Sequence, residues 1–146
     1  MNNLYDIYNT VKNFAETHNM INEFLYIRSE SELRSREFDY RTLVIIPLEA
    51  NITRQLNSPV YTLDFGIIVM DKVVGDDDYS SIMSTEENIF VIGQLQDYLL
   101  QLGMDNDFEN IDFYTATGSD YNITTASANF SVTIARKPYI KEIDNN

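Results

Sequence analysis

The sequence predicts an α+β fold: an antiparallel-leaning mixed sheet of about five strands with two helices packed mainly on one face. Three observations carry this. Residues 60–70 (VYTLDFGIIVM) and 123–135 (ITTASANFSVTIA) alternate from face to face with the two-residue period of a strand. Residues 3–18 and 85–102 repeat apolar groups at helical spacing. The elements come in the order helix, three strands, helix, two strands, and each helix has a single apolar stripe that needs only one layer beneath it.

Taken in chain order, Leu4, Ile7, Tyr8, Val11, Phe14 and Ala15 form the stripe of the first helix, with Asn2 or Asn3 placed to cap it and Asp6 in the first turn, where the dipole favours a negative charge. Residues 24–28 (FLYIR) are rich in aromatic and β-branched groups and read as a strand; the polar SESELRSRE that follows reads as an exposed loop. Residues 40–47 (YRTLVIIP) continue as a strand whose LVII run implies burial on both faces, with Pro47 marking an edge or a bend and a loop running to about Pro59. In the long strand 60–70, Tyr61, Leu63, Phe65, Ile67 and Val69 share one face.

Residues 71–81 (DKVVGDDDYSS) read as a loop. Ser84-Thr85-Glu86-Glu87 then spells a capping box, from which a second helix runs over 85–102 with Ile89, Ile92, Leu95, Leu99 and Leu102 as its stripe and Gly103 at the left-handed C-terminal position. Residues 111–117 and 123–135 form a closing hairpin across Gly118-Ser119-Asp120, with Ala126, Ala128, Phe130, Val132 and Ile134 facing the core. Residues 1–135 make a single domain, and 136–146 (RKPYIKEIDNN) form a C-terminal extension that orders only against a partner surface.

Composition bounds the function. A chain of 146 residues that is 44% hydrophobic and 12% aromatic suffices for one core. No apolar run approaches the roughly 18 residues a membrane helix needs, and MNNLYDIYN has neither a basic start nor an apolar signal core, so the protein is expected to be cytosolic when made, with no membrane partner. The absence of cysteine excludes disulfides, thiolate catalysis and thiolate metal sites, and a single histidine, His18, excludes His-rich zinc or iron sites. With 23 acidic and 10 basic residues the net charge is -13, which repels phosphate and argues against specific nucleic-acid binding. That acidity either keeps the protein soluble or makes a lining past which DNA slides.

Candidate chemistry is sparse. Asp76, Asp77 and Asp78, with Asp71 nearby, offer oxygen ligands for Ca²⁺ or Mg²⁺, but their spacing is not that of an EF-hand, and a solvated loop without metal is the expectation. Val73, Val74, Asp76, Asp77, Asp78 and Tyr79 are instead expected to form an interface loop reaching a neighbour, since Ile82 and Met83 add further apolar groups to a segment that reads as exposed. Tyr139 and Ile140 are the expected contacts of the C-terminal extension. His18 ends a helix and reads as a capping or solvent-exposed residue. No triad context, GxxxxGK[ST] or GxGxxG occurs, so no catalytic residue and no cofactor are assigned. Arg28, Arg34, Arg36, Arg41 and Arg54 cluster in the first half and either face the acidic half of another subunit or are balanced by Glu23, Glu30, Glu32 and Glu37 beside them.

The strand FGIIVMDKV, the acidic loop and the helix ENIFVIGQLQDYLLQLG resemble the small tail-terminator and head-to-tail connector proteins of tailed bacteriophages. Val69, Asp71 and Lys72 match a strand ending in V-x-D-K, and Asp97, Leu99 and Leu102 match x-D-x-L-x-x-L in the helix that follows; the resemblance covers about residues 20–135. The Asn, Tyr, Ile and Asp bias of the composition fits crass-like phages. This resemblance implies a non-enzymatic virion protein, assembled in the host cytoplasm as a six- or twelvefold homo-oligomeric ring through which DNA passes. Its neighbours would be portal, adaptor or tail proteins. The alternative is an acidic cytosolic protein-binding module or DNA-mimic inhibitor, monomeric or dimeric.

Overall fold

The computed structural model of the protein describes residues 3–34, 37–55, 58–75, 77–104 and 106–135. The elements are α1 (Leu4–Thr17), β1 (Glu23–Tyr26), α2 (Glu30–Arg34), β2 (Thr42–Gln55), β3 (Ser58–Val74), α3 (Asp78–Gln101), β4 (Asn106–Phe108), β5 (Asp112–Thr117) and β6 (Tyr121–Ala135). They make an α+β fold around one mixed sheet with strand order β1-β2-β3-β6-β4, in which β5 also pairs with β6. Among the described residues only the β1–β2 pair is parallel; β2–β3, β3–β6, β4–β6 and β5–β6 are antiparallel.

Alternation places the core. Phe65, Ile67 and Val69 of β3 and Ala126, Ala128, Phe130, Val132 and Ile134 of β6 point to one face, where Leu43 and Ile45 of β2 join them. Onto that face α1 lays Ile7, Val11 and Phe14, and α3 lays Val91, Ile92, Leu95 and Leu99, all buried. Each such side chain contributes roughly 1.5–3 kcal/mol when fully buried, so this one layer dominates the stability. Asn3 caps α1 by accepting the Asp6 N–H at 2.9 Å. Gly103 closes α3 at φ +73, the left-handed value that favours glycine. At the hairpin between β5 and β6, a Cβ on Gly118 would lie 2.7 Å from the Tyr121 carbonyl oxygen, so the turn excludes any side chain there.

Four expectations change. The polar stretch after β1 is not wholly a loop: α2 forms within it, and Leu33 packs on a second apolar cluster of Ile27, Val44, Ile46 and Met70 on the opposite face of the sheet. That back cluster is why the LVII run of β2 is buried on both sides. Second, β2 does not end at Pro47 but continues to Gln55 and pairs directly with β3, so the loop expected before Pro59 is a long hairpin arm. The register shifts between Pro47 and Glu49, a bulge that lets proline sit in a strand without breaking its pairing. Third, a short strand, β4, lies along the far edge and was not expected.

The fourth change concerns α3. It begins at Asp78, a full two turns before residue 85, and its cap is Asp77, whose carboxylate accepts from Tyr79 N–H at 2.8 Å and Ser80 N–H at 3.4 Å. Ser84 and Glu87 therefore do not form a capping box; they lie inside a helix already under way and are turned to other partners. Leu102 follows the helix and is exposed, so the buried stripe ends at Leu99.

Candidate functional site

Two places gather polar or exposed apolar groups outside the main core. The first is a polar knot beneath the first half of α3. Arg41, immediately before β2, is buried; its Nε donates to Asn88 Oδ1 at 2.9 Å, and its Nη2 to Asp71 Oδ2 at 3.0 Å and Glu87 Oε2 at 2.6 Å. Asn88 Nδ2 donates to the Thr124 carbonyl and hydroxyl at 3.2 and 3.0 Å, the Thr124 and Ser84 hydroxyls lie 2.6 Å apart, and Ser84 Oγ donates to Asp71 Oδ2 at 2.8 Å. Following the protons gives a closed circuit: guanidinium to amide, amide to Thr124, Thr124 to Ser84, Ser84 to the carboxylate that the guanidinium also holds. Every donor named has an acceptor, which is what makes burial of so many polar groups tolerable.

The knot joins β2, β3, β6 and α3 at one end of the sheet. Asp71 also lines a neighbouring cleft of about 660 Å³ together with Asp39, Tyr40, Lys72 and Tyr121. In that cleft Lys72 Nζ stands 4.3 Å from the centre of the Tyr121 ring, and partial burial, with Tyr121 nearby, pushes the Tyr40 hydroxyl above its ordinary range. Arg41 is consequently unavailable as a basic contact for an acidic neighbour. Arg28 donates its backbone N–H to Glu32, 3.4 Å away, so Glu32 turns back onto this stretch; Arg36 lies outside the described residues.

The second place is the outer surface of α3. Because Ser84 and Asn88 occupy inward positions, the first half of the helix is polar toward the sheet, and an apolar strip runs along its outside as far as Phe90: Tyr79, Ile82 and Phe90 are 70%, 64% and 60% exposed. Beside Ile82 an apolar groove of about 370 Å³ opens between α3 and β5, lined by Thr85, Glu86, Ile89, Phe113 and Thr115 as well. Phe113 is itself 61% exposed. Exposed apolar groups this close together are what interaction surfaces consist of.

The expected interface loop is thus taken apart. Val73 belongs to β3 and is buried, opposite Asn122 of β6, because it shares the parity of Val69 and Asp71 and points under α3. Val74 ends the strand and is exposed; Asp77 and Asp78 start the helix; Tyr79 is exposed in its first turn. Asp76, Tyr139 and Ile140 lie outside the described residues. Asp77 spends its carboxylate on the cap and Asp71 on Arg41, and among the described residues no three acidic or histidine side chains converge as a metal site would need. His18 is the C-cap of α1, with Nδ1 accepting from Met20 N–H at 3.1 Å and Nε2 2.6 Å from Gln94 Oε1, which ties α1 to α3.

Phe90 and Phe113 were not singled out by sequence reasoning. The signal for Phe90 was present: Tyr79, Ile82, Met83 and Phe90 make a second stripe at helical spacing, opposite the Ile92–Leu95–Leu99 stripe.

Asp77 gives a test of the helix start. The Ser80 hydroxyl and the backbone N–H groups of Ser80 and Tyr79 hold its carboxyl below the ordinary value. A carboxyl whose folded value is depressed stabilises above its unfolded value and loses that contribution as pH falls through the folded one. Asp77→Ala should therefore fray residues 78–81, seen as faster amide exchange there at neutral pH, with the difference from wild type vanishing in strong acid; Asp77→Asn, an equally good cap, should retain protection.

In comparisons with known proteins, no family model matches the chain and no curated protein matches its sequence. Among the described residues no helix is long and apolar enough to cross a membrane.

Proposed function

We propose that this chain is a structural protein of a phage virion, a subunit of an oligomeric ring at the head-to-tail junction or in the tail, without enzymatic activity. The observation that carries the reading is the inverted first half of α3. A helix that buries Ser84 and Asn88 while exposing Tyr79, Ile82 and Phe90 leaves an apolar area of the kind that protein partners cover.

Two further features support it. The distal arm of β2, residues 48–53, is exposed on both faces and lies beyond the reach of β1, which pairs only with residues 42–45. That arm and the α3–β5 groove belong to different ends and edges of one sheet, so a contact between them on successive copies is heterologous, the type that closes into rings. The polar knot fits a positioning role: its groups satisfy one another and fix where α3 crosses the sheet, and hence where the apolar surface points. The net charge of -13 suits a ring whose channel passes DNA without holding it.

The test is the particle formed by purified protein. Negative-stain microscopy with mass measurement should show a closed ring of six or twelve copies, and Phe90→Asp combined with Ile82→Asp should leave monomers of unchanged helicity. A wild-type protein that stays monomeric at every concentration and competes with DNA for a basic partner would overturn the ring reading in favour of a DNA-mimic module.

A further inference from the structure

We infer that the groove between α3 and β5 receives residues 136–146 of a second copy of this chain, with Tyr139 and Ile140 seated against Ile82 and Phe113; this rests on the ring reading and names one of its contacts. The groove needs an occupant with apolar side chains, and β5 needs one with a free backbone. All six residues of β5 are exposed, and among the described residues β5 pairs with β6 alone. Its sequence, DFYTAT, has no lysine or proline to blunt the outer edge, so an extended segment can add there as a further strand. A strand added beside Phe113 and Thr115 drops alternate side chains into the groove.

Charge selects the segment. Glu86 lines the groove, and Asp78 and Asp112 open the two elements that form it. Residues 136–146 hold three of the ten basic residues, Arg136, Lys137 and Lys141, against Glu142 and Asp144, giving +1 where the rest of the chain carries -14. Residues 26–36 also carry +1, but the Ile27 of their Tyr26-Ile27 pair is buried in the core.

Distance makes it a second copy. β6 ends at Ala135, which pairs with Val60 near the tip of the β2–β3 hairpin. Phe113 pairs with Ala126, nine positions back along β6, or roughly 30 Å at about 3.3 Å per residue. Tyr139 and Ile140, four and five positions past Ala135, reach at most about 18 Å when fully extended. Neither arrives at the groove of its own chain, whereas in a head-to-tail ring the tip of one subunit meets the flank of the next.

The chain has no cysteine, which permits a clean cross-linking test. Full-length Phe113→Cys and Tyr139→Cys proteins, made separately and mixed under mild oxidation, should give a disulfide-linked heterodimer as the main product, at least tenfold above a mixture of Tyr139→Cys with Tyr5→Cys, whose site is exposed on α1. Tyr139→Asp with Ile140→Asp should lower the assembled fraction at least tenfold without altering the monomer's helicity. Rings that form without the heterodimer, or that survive the aspartate pair, overturn this contact and leave the ring reading standing. A heterodimer with no closed particle keeps the contact and overturns the ring. Intrachain cross-linking of a doubly substituted F113C/Y139C chain at high dilution overturns the assignment to a second copy.

Discussion

Arg41→Met should destabilise the protein by about 3 kcal/mol, the largest loss expected from any polar substitution in it. The guanidinium is only 7% exposed and is the single cation among two carboxylates, an amide and two hydroxyls. Removing it leaves Asp71, 23% exposed, with one hydroxyl donor in place of an ion pair, and leaves Asn88 Oδ1, buried between helix and sheet, without its donor. A carboxylate stranded at that depth costs several times what the pair contributes, because Coulomb attraction and desolvation nearly cancel while both partners are present. The order of the single variants follows from exposure. Glu87→Gln, at a side chain 44% exposed, should cost under about 1 kcal/mol, since water already screens that arm of the pair. Adding Asp71→Asn to Arg41→Met should recover about 1–2 kcal/mol, because the amide removes the stranded charge and still accepts from Ser84. Urea melts of the four proteins decide it: if Arg41→Met unfolds at the wild-type midpoint, the knot has no structural role, and its effect on where α3 sits falls with it.

The same knot explains which parts of this fold could be read from sequence. β3 and β6 were legible because their two-residue alternation is enforced by a core on one side: Phe65, Ile67 and Val69 pair in register with Phe130, Ala128 and Ala126. α1 was legible for the equivalent reason at helical period. The start of α3 was not, because the residues that would announce an amphipathic helix are reversed there. Ser84 and Asn88 look like surface positions and are buried, Asn88 against Arg41, 47 positions earlier in the chain, and Ser84 against Asp71 and Thr124; Phe90 looks like core and faces outward. Only the tertiary partner tells the two faces apart. Proline misled in β2 for a local reason, since a bulge at Pro47 absorbs the missing donor. The candidate surface was half legible: Tyr79, Ile82 and Met83 stood out as apolar groups in a polar stretch, while Phe113 needs the groove to be seen, because in a strand pattern an aromatic residue reads as core.

Phe130→Ala should cost more still, about 3–5 kcal/mol, or on the order of 10 °C in midpoint for a chain of this size. Its ring is sandwiched: the Phe65 ring stacks on it at 5.2 Å and 23°, and the Phe108 ring at 5.0 Å and 18°. Phe65 and Phe108 belong to β3 and β4, the two neighbours of β6 at that level, so one side chain ties three strands. The effect should also be uneven in space. β3 keeps its long pairing with β2 and β6, whereas β4 is three residues long and holds to β6 chiefly through this stack. Amide exchange in Phe130→Ala should therefore rise first at residues 106–108, while 60–70 remain protected until global unfolding. Phe130→Leu, which keeps an apolar group in the gap, should lose less than half as much. Uniform loss of protection along β3 and β4 together would mean that the stack is incidental and that β4 is held by its backbone pairing. The α3–β5 groove is lined by Phe113 and Thr115, which pair with Ala126 and Thr124, four and six positions along β6 from Phe130 and away from β4, so on the proposed ring Phe130→Ala should keep assembling below its lowered midpoint, and stability and assembly would separate in a single variant.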